Sequence, residues 1–163
     1  MKIQIVNEQD EIIGTKERGE VDYQTDIYRV SALWLTNSKG QTLIARRALS
    51  KDKDPGKWGP AVAGTIDEGE TYDQNIYKEA IEEIGLEGLE FSRSKKMRIT
   101  HPRQYFCQWY TVSLDRETDS FTMQAEEVDA LEWVNIEVLK SELASNPDKY
   151  VPAMQQIITE LNI

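Results

Sequence analysis

The segment Gly64–Leu86 confines this chain more than any other stretch, because a glycine-bracketed loop feeds a helix whose two sides cannot share one environment. At about 100° of rotation per residue, Glu79, Glu82 and Glu83 fall within one arc of roughly 100°, while Ile76, Tyr77, Ala80, Ile81 and Ile84 fill much of the opposite side. One side asks for a hydrophobic core, the other for water or a cation. Gly64 and Gly69 bracket the loop, and Asp67, Glu68 and Glu70 put negative charge at or just before the helix start, where the dipole favours it. Thr71 or Asp73 can cap the first turn, and Gly85 supplies the positive-φ stop. The helix therefore ends with Glu82 and Glu83 in its last turn, where the dipole and like charges at i,i+4 oppose them by about 0.2–1 kcal/mol each.

A hard divalent cation turns that repulsion into binding, since Mg²⁺ takes oxygen ligands, typically one or two carboxylates plus waters and substrate phosphates. Taken alone, three clustered glutamates read as a solvated acidic face. The wider spacing changes that reading: Gly64, five residues, Glu70, seven residues, Lys78-Glu79, an apolar and a free position, Glu82-Glu83, one residue, then Gly85-Leu86. This pattern resembles the Nudix box and departs from it at one defined position, where Lys78 replaces the family's arginine. Lysine keeps the charge but gives up the bidentate fork that orients a carboxylate.

The resemblance implies an α/β/α sandwich with a mixed sheet, and Mg²⁺-dependent (or Mn²⁺-dependent) hydrolysis of a diphosphate joined to another group. It places Glu79, Glu82 and Glu83 on the metal and in catalysis, with Gly64, Glu70 and Lys78 in support. A cation that bridges phosphate oxygens neutralises developing charge, and a second lowers the pKa of the attacking water. The residue that receives the water's proton is a box glutamate or one in a later loop. Glu126-Glu127, before the apolar segment Val128–Val134, are the candidates outside the box, and Glu127 is the one we take forward.

With 163 residues and 39% hydrophobic content, the chain can bury one substantial core and reads as a single domain over residues 1–163. No apolar run is long enough to span a membrane, and the start lacks the form of a signal peptide. One cysteine, Cys107, excludes an internal disulfide and points to a reducing cytoplasm; in the aromatic strand Tyr105–Tyr110 it reads as packed core. The net charge of −10 argues against nucleic-acid polymers, whose affinity comes from Lys and Arg on phosphates. An anionic small molecule then needs local positive charge. Ten of nineteen basic residues lie in two stretches, Arg46, Arg47, Lys51, Lys53, Lys57 and Arg93, Lys95, Lys96, Arg98, Arg103. If both flank the acidic helix, they form a phosphate entrance, and Arg46, Arg47, Lys57 and Trp58 are the expected substrate-binding residues. A homodimer is compatible with the sequence and not specified by it.

Hydrophobic periodicity gives an α/β order. Lys2–Val6 and Ile12–Arg18 read as an N-terminal β-hairpin, and Ile27–Thr36 with Gln41–Ala48 as a second, turning at Asn37-Ser38-Lys39-Gly40. Leu49–Gly59 is a charged loop that delivers Trp58 toward the box. Leu89–Thr100 and Tyr105–Leu114 read as strands separated by His101-Pro102, and Asn135 caps a helix over Ile136–Ala144. Pro152 opens the last helix, where Met154, Ile157, Ile158 and Leu161 form a core-facing stripe. Trp58, Tyr105 and Trp109 could stack a base, yet aromatics in strands are more often core. His101 reads as an exposed turn residue.

Outside the box, Arg46-Arg47 and Lys53-Asp54-Pro55-Gly56-Lys57-Trp58 are similar to the Nudix branch that includes isopentenyl-diphosphate isomerase. In those isomerases a cysteine needed for proton transfer precedes the first box glycine and a histidine ligand follows it; Ala63 and Thr65 stand there instead, and alanine cannot move a proton. The residues thus favour a hydrolase over two alternatives: an isomerase, and a nucleotide-sensing domain without catalysis.

Overall fold

A computed structural model describes residues 1–163 and contains nine strands and three α-helices. The strands are β1 (Lys2–Val6), β2 (Ile12–Glu17), β3 (Ile27–Thr36), β4 (Gln41–Arg47), β5 (Trp58–Pro60), β6 (Val62–Thr65), β7 (Ser92–Ile99), β8 (Tyr105–Ser113) and β9 (Val128–Asn135). The helices are α1 (Tyr72–Ile84), α2 (Ile136–Ser145) and α3 (Met154–Leu161). No helix is long and apolar enough to cross a membrane.

β3 organises the sheet. Its alternate side chains face opposite ways, as strand geometry requires: Leu33 and Leu35 pack with Ile76, Ala80 and Ile84 of α1, while Ala32 and Trp34 pack with Leu139 and Leu143 of α2 and Met154, Ile157 and Ile158 of α3. These two cores on opposite faces make the expected α/β/α sandwich with a mixed sheet. β8 runs parallel to β3 along nine paired positions, from Tyr28 opposite Tyr105 to Thr36 opposite Ser113. β6 pairs antiparallel with β3, setting Ala63 opposite Ala32 and Gly64 opposite Ser31.

The N-terminal hairpin forms as expected, with β1 antiparallel to β2. The second expected hairpin does not extend past its turn: β3 and β4 pair only at Thr36 and Thr42. β3 spends its hydrogen bonds on β8, β6 and β1, while β4 takes β9 on one side and β5 on the other. Two further expectations need correction. Tyr77 and Ile81 of α1 are 38% and 50% exposed, so the apolar arc is narrower than the rotation angle suggests, although Tyr77 stacks on Phe91 with centroids 4.5 Å apart. Pro152 lies ahead of the last helix, which starts at Met154 after a turn closed by the Met154 N–H on the Val151 carbonyl.

Candidate active site

α1 is fixed at both ends by the residues its sequence supplies. The Thr71 hydroxyl accepts the Gln74 N–H while the Gln74 side chain accepts the Thr71 N–H, a reciprocal capping box. Gly85, at φ 66°, donates to the Ile81 carbonyl, the 5→1 bond by which a left-handed residue ends a helix, and Leu86 N–H reaches back to the Ala80 carbonyl. With its ends fixed, the acidic side of α1 lies against β6.

The approach is close. A Cβ on Gly64 would lie 2.3 Å from Glu79 Cγ and Cδ and 2.6 Å from its Oε1, so only glycine admits the Glu79 carboxyl there. Glu83 is buried, and its Oε2 accepts the Ala63 N–H at 3.1 Å. Burial pushes the Glu79 carboxyl up to about 7, reinforced by Glu82, Glu127 and Glu70 and opposed by Lys78. Burial also raises Glu83 well above the usual carboxylate range, with Glu79 adding to the rise and Arg47 opposing it. Two carboxyls so destabilised as anions await positive charge.

The preceding loop is a supporting lattice. Lys78 Nζ donates to Glu70 Oε1 at 2.5 Å and Asp67 Oδ2 at 3.1 Å, and stands 3.8 Å from Glu79. Burial works against that ammonium, but the hydrogen bonds to Glu70 and Asp67 outweigh it and raise its pKa. Lysine here does by point charge what the forked arginine of the pattern would do. Glu70 Oε2 accepts from Asp67 N–H at 3.1 Å and from Asn75 Nδ2 at 3.0 Å.

Asn75 is fully buried and escaped the sequence reading. Its amide also donates to the Thr65 carbonyl and to Glu79 Oε1, and its Oδ1 accepts from Ser31. The one available clue was its place four residues before Glu79. Gln4 of β1 ties in the same loop by donating to the Asp67 and Glu70 carbonyls.

These groups form one wall of a cavity of about 290 Å³. Glu79, Glu82, Glu83 and Glu127 line it, together with Gly64, Asp67 and Lys78. Glu127 arrives because the chain before β9 is stitched to the end of α1, Gln124 donating to the Glu83 carbonyl and Thr122 to that of Ile84. Its carboxylate accepts from Lys51 Nζ at 2.5 Å. Glu126 is not among the lining residues.

The expected phosphate-binding residues divide. Arg47 lines the cavity, but Arg46, Lys57 and Trp58 do not: Arg46 Nε pairs with Asp129 at 2.6 Å and its guanidinium lies 5.7 Å from the Trp58 ring centroid. Strand alternation explains the split, since adjacent residues of β4 face opposite sides. The second basic stretch does not flank the acidic helix as a unit. Arg103 lines the cavity, whereas Lys96 pairs with Asp10, Arg98 with Glu8, and Lys95 with the Glu160 carbonyl. Lys51, Lys53 and Arg18 complete the basic rim. His101 is exposed in its turn. Ala32, Cys107, Trp109, Ala153 and Ile157 give the cavity an apolar floor between the sheet and α3. Burial raises the Cys107 thiol, which suits packed core.

The donor set suits a hard divalent cation. All the candidate ligands are carboxylate oxygens, and Asp67 Oδ1 on the same wall is buried without a hydrogen-bond partner. No three acidic, histidine or cysteine side chains stand in a ready-assembled ligand group. Mg²⁺ asks for no such cage, since it commonly takes one or two carboxylates and fills its shell with water and phosphate oxygens.

Known proteins resemble this chain along nearly its whole length. Residues 27–157 match the NUDIX domain family. An uncharacterized Nudix hydrolase of Yersinia pestis is 28% identical over 155 residues, covering 92% of this chain and 79% of that protein. An isopentenyl-diphosphate Delta-isomerase of Klebsiella pneumoniae is 28% identical over 158 residues, covering 92% and 84%. A prenyl-diphosphate phosphatase of Methanosarcina mazei is 27% identical over 160 residues, covering 96% and 92%. A crystal structure from Deinococcus radiodurans superposes with a TM-score of 0.80 at 27% identity, covering 90% of each chain.

Proposed function

Because this chain belongs to the Nudix hydrolase family, whose members act on diphosphate-containing substrates, we propose that it is a Mg²⁺-dependent hydrolase that cleaves the pyrophosphate bond of a nucleoside diphosphate derivative or a related organic diphosphate. The observation that carries this reading is one cavity with a carboxylate wall and a cationic rim. Glu79, Glu82 and Glu83 would hold Mg²⁺ or Mn²⁺, with Gly64 giving Glu79 its room and Asn75, Glu70 and Lys78 holding the wall in shape. The bound ion supplies charge neutralisation on phosphate oxygens and a more acidic water. Arg47 and Lys51 orient the diphosphate from the facing rim. Glu127, held by Lys51, receives the water's proton as oxygen attacks phosphorus and the bridging P–O bond breaks, the electron pair leaving with the departing phosphate.

The apolar floor suits an aliphatic or ring group, and the resemblance to a prenyl-diphosphate phosphatase supports an apolar chain there. The similarity to isomerases carries less weight, because Ala63 lines the cavity at the position of their proton-transferring cysteine, and the one thiol, Cys107, lies on the apolar floor two strands from it, opposite Val30, where burial keeps it protonated. The test is a panel of nucleoside diphosphate derivatives, prenyl diphosphates and isopentenyl diphosphate with Mg²⁺ or Mn²⁺, read by mass spectrometry. Metal-dependent phosphate release supports the reading. Double-bond migration would replace it with the isomerase, and metal-dependent binding without product would replace it with a sensor.

A further inference from the structure

Four cations from four separate segments line the same cavity as the glutamates: Arg18 after the N-terminal hairpin, Arg47 at the end of β4, Lys53 in the loop that follows, and Arg103 in the turn between β7 and β8. They contact one carboxylate among them, Asp54, on which Arg103 Nη2 rests at 2.7 Å. The other three spend their donors on neutral groups. Arg18 Nη2 donates to Thr65 Oγ1 at 3.1 Å and Nη1 to Met1 Sδ at 3.5 Å, and Arg47 Nε donates to the Lys53 carbonyl at 2.8 Å. Lys53 has no ion-pair partner, and its Nζ sits 3.0 Å from the centroid of the Tyr23 ring. That ring stands edge-on to Tyr28 at 5.2 Å, and Tyr28 lies 5.3 Å from Tyr105, so the ammonium rests on a braced aromatic stack.

On a chain of net charge −10, the gathering of cations runs against the overall balance. Like charges held together in a partly buried pocket oppose one another unless an anion joins them. Lys53 registers this: burial, then Arg103, Arg18 and Arg47, push it down to about 8, with Asp52 acting the other way.

We propose that Arg18, Lys53 and Arg103 form an oxyanion subsite that takes the phosphoryl group of the substrate remote from the carboxylate wall. This rests on the diphosphate reading of the cavity; it picks Lys53 and Arg103 out of the two basic stretches and adds Arg18, all three outside the box and outside the expected binding residues Arg46, Arg47, Lys57 and Trp58. A phosphate dianion here would bring the missing negative charge, and a lysine kept free of acidic partners breaks no ion pair when it turns to the ligand.

The probe is inorganic phosphate with metal-free protein, followed by isothermal titration and by the NMR signal of a ¹³C-labelled Lys53 side chain. Lys53 is charged below about pH 8, so affinity for the phosphate dianion, corrected for the phosphate's own second ionisation, is present there and falls as pH rises through that value, by about tenfold between pH 7 and pH 9 for one linked proton. By the same linkage, phosphate moves the Lys53 titration upward. Lys53→Met weakens binding at pH 7 by tenfold or more, while Lys53→Arg keeps it at both pH values. Wild-type binding by Lys53→Met, or a Lys53 titration indifferent to phosphate, overturns the subsite. Turnover of a diphosphate with unchanged KM in Lys53→Met also overturns it and leaves the hydrolase standing. Phosphate binding that depends on Lys53 in a protein that turns over no diphosphate upholds the subsite and removes the hydrolase.

Discussion

Glu79 and Glu83 are carboxyls held where the anion is least at home, and that sets their stability against their use. Replacing either with glutamine keeps the shape and the acceptor that Ala63 N–H needs from Glu83, while removing a carboxyl whose ionisation burial opposes. We expect Glu83→Gln to raise the melting temperature of the metal-free protein by about 2–4 °C, the equivalent of roughly 1 kcal/mol, and to lower metal-dependent turnover at least about a hundredfold. Calorimetry and kinetics on the same preparation check both, and unchanged turnover would remove Glu83 from the metal. Gly64→Ala makes a complementary case. The added Cβ meets the flexible end of Glu79 rather than backbone, so the carboxyl swings away at modest cost in stability, about 1–3 kcal/mol. Activity should fall far more than the urea midpoint does; proportionate losses would mean that the close approach is structural.

α1 depends on its ends. Thr71→Ala removes the capping box and should cost about 1 kcal/mol in urea unfolding, with little effect on the carboxylate wall because Asn75 and Lys78 hold the loop independently. Gly85→Ala is harsher, since the position has φ 66° and the new Cβ would stand 3.0 Å from Thr122 Cβ, on the segment that leads to Glu127. That variant should lose more stability than Thr71→Ala and also some turnover. Lys78→Arg should preserve or raise activity, because a fork can serve Glu70 and Asp67 together; a severe loss would show that the compact ammonium is needed.

The cavity exists because distant segments meet: β6 and α1 bring the acids, the β4–β5 loop, the hairpin end and the β7–β8 turn bring the cations, and α3 closes the floor. Ala153→Phe should therefore lower kcat/KM for organic diphosphates by about tenfold or more, a cost in the range of filling a well-shaped apolar pocket, while phosphate binding at the Lys53 rim stays unchanged. Equal loss of both would mean that the floor and the rim cannot be separated. Met154→Ala, at a fully buried position under the sheet, should cost about 2–5 kcal/mol of stability.

Much of this was legible in one dimension because it is local. Helix limits follow from Thr71 and Gly85, the spacing of Glu79, Glu82 and Glu83 from a rotation of about 100° per residue, and the β-strands from alternation that has a period of two. Long-range pairing was not legible. Nothing near Ile27–Thr36 says that its main partner is Tyr105–Ser113, so the second hairpin looked complete when only Thr36 and Thr42 pair. For the same reason Arg46, Lys57 and Trp58, which the sequence groups with Arg47, do not line its cavity, while Lys53 and Arg103 of the two basic stretches do, and Arg18 and Asn75 could not be singled out from the sequence. Charge and polarity are written in each residue, but the partner that gives them a purpose is chosen by packing across the sheet, where residues far apart in the chain share one low-dielectric space.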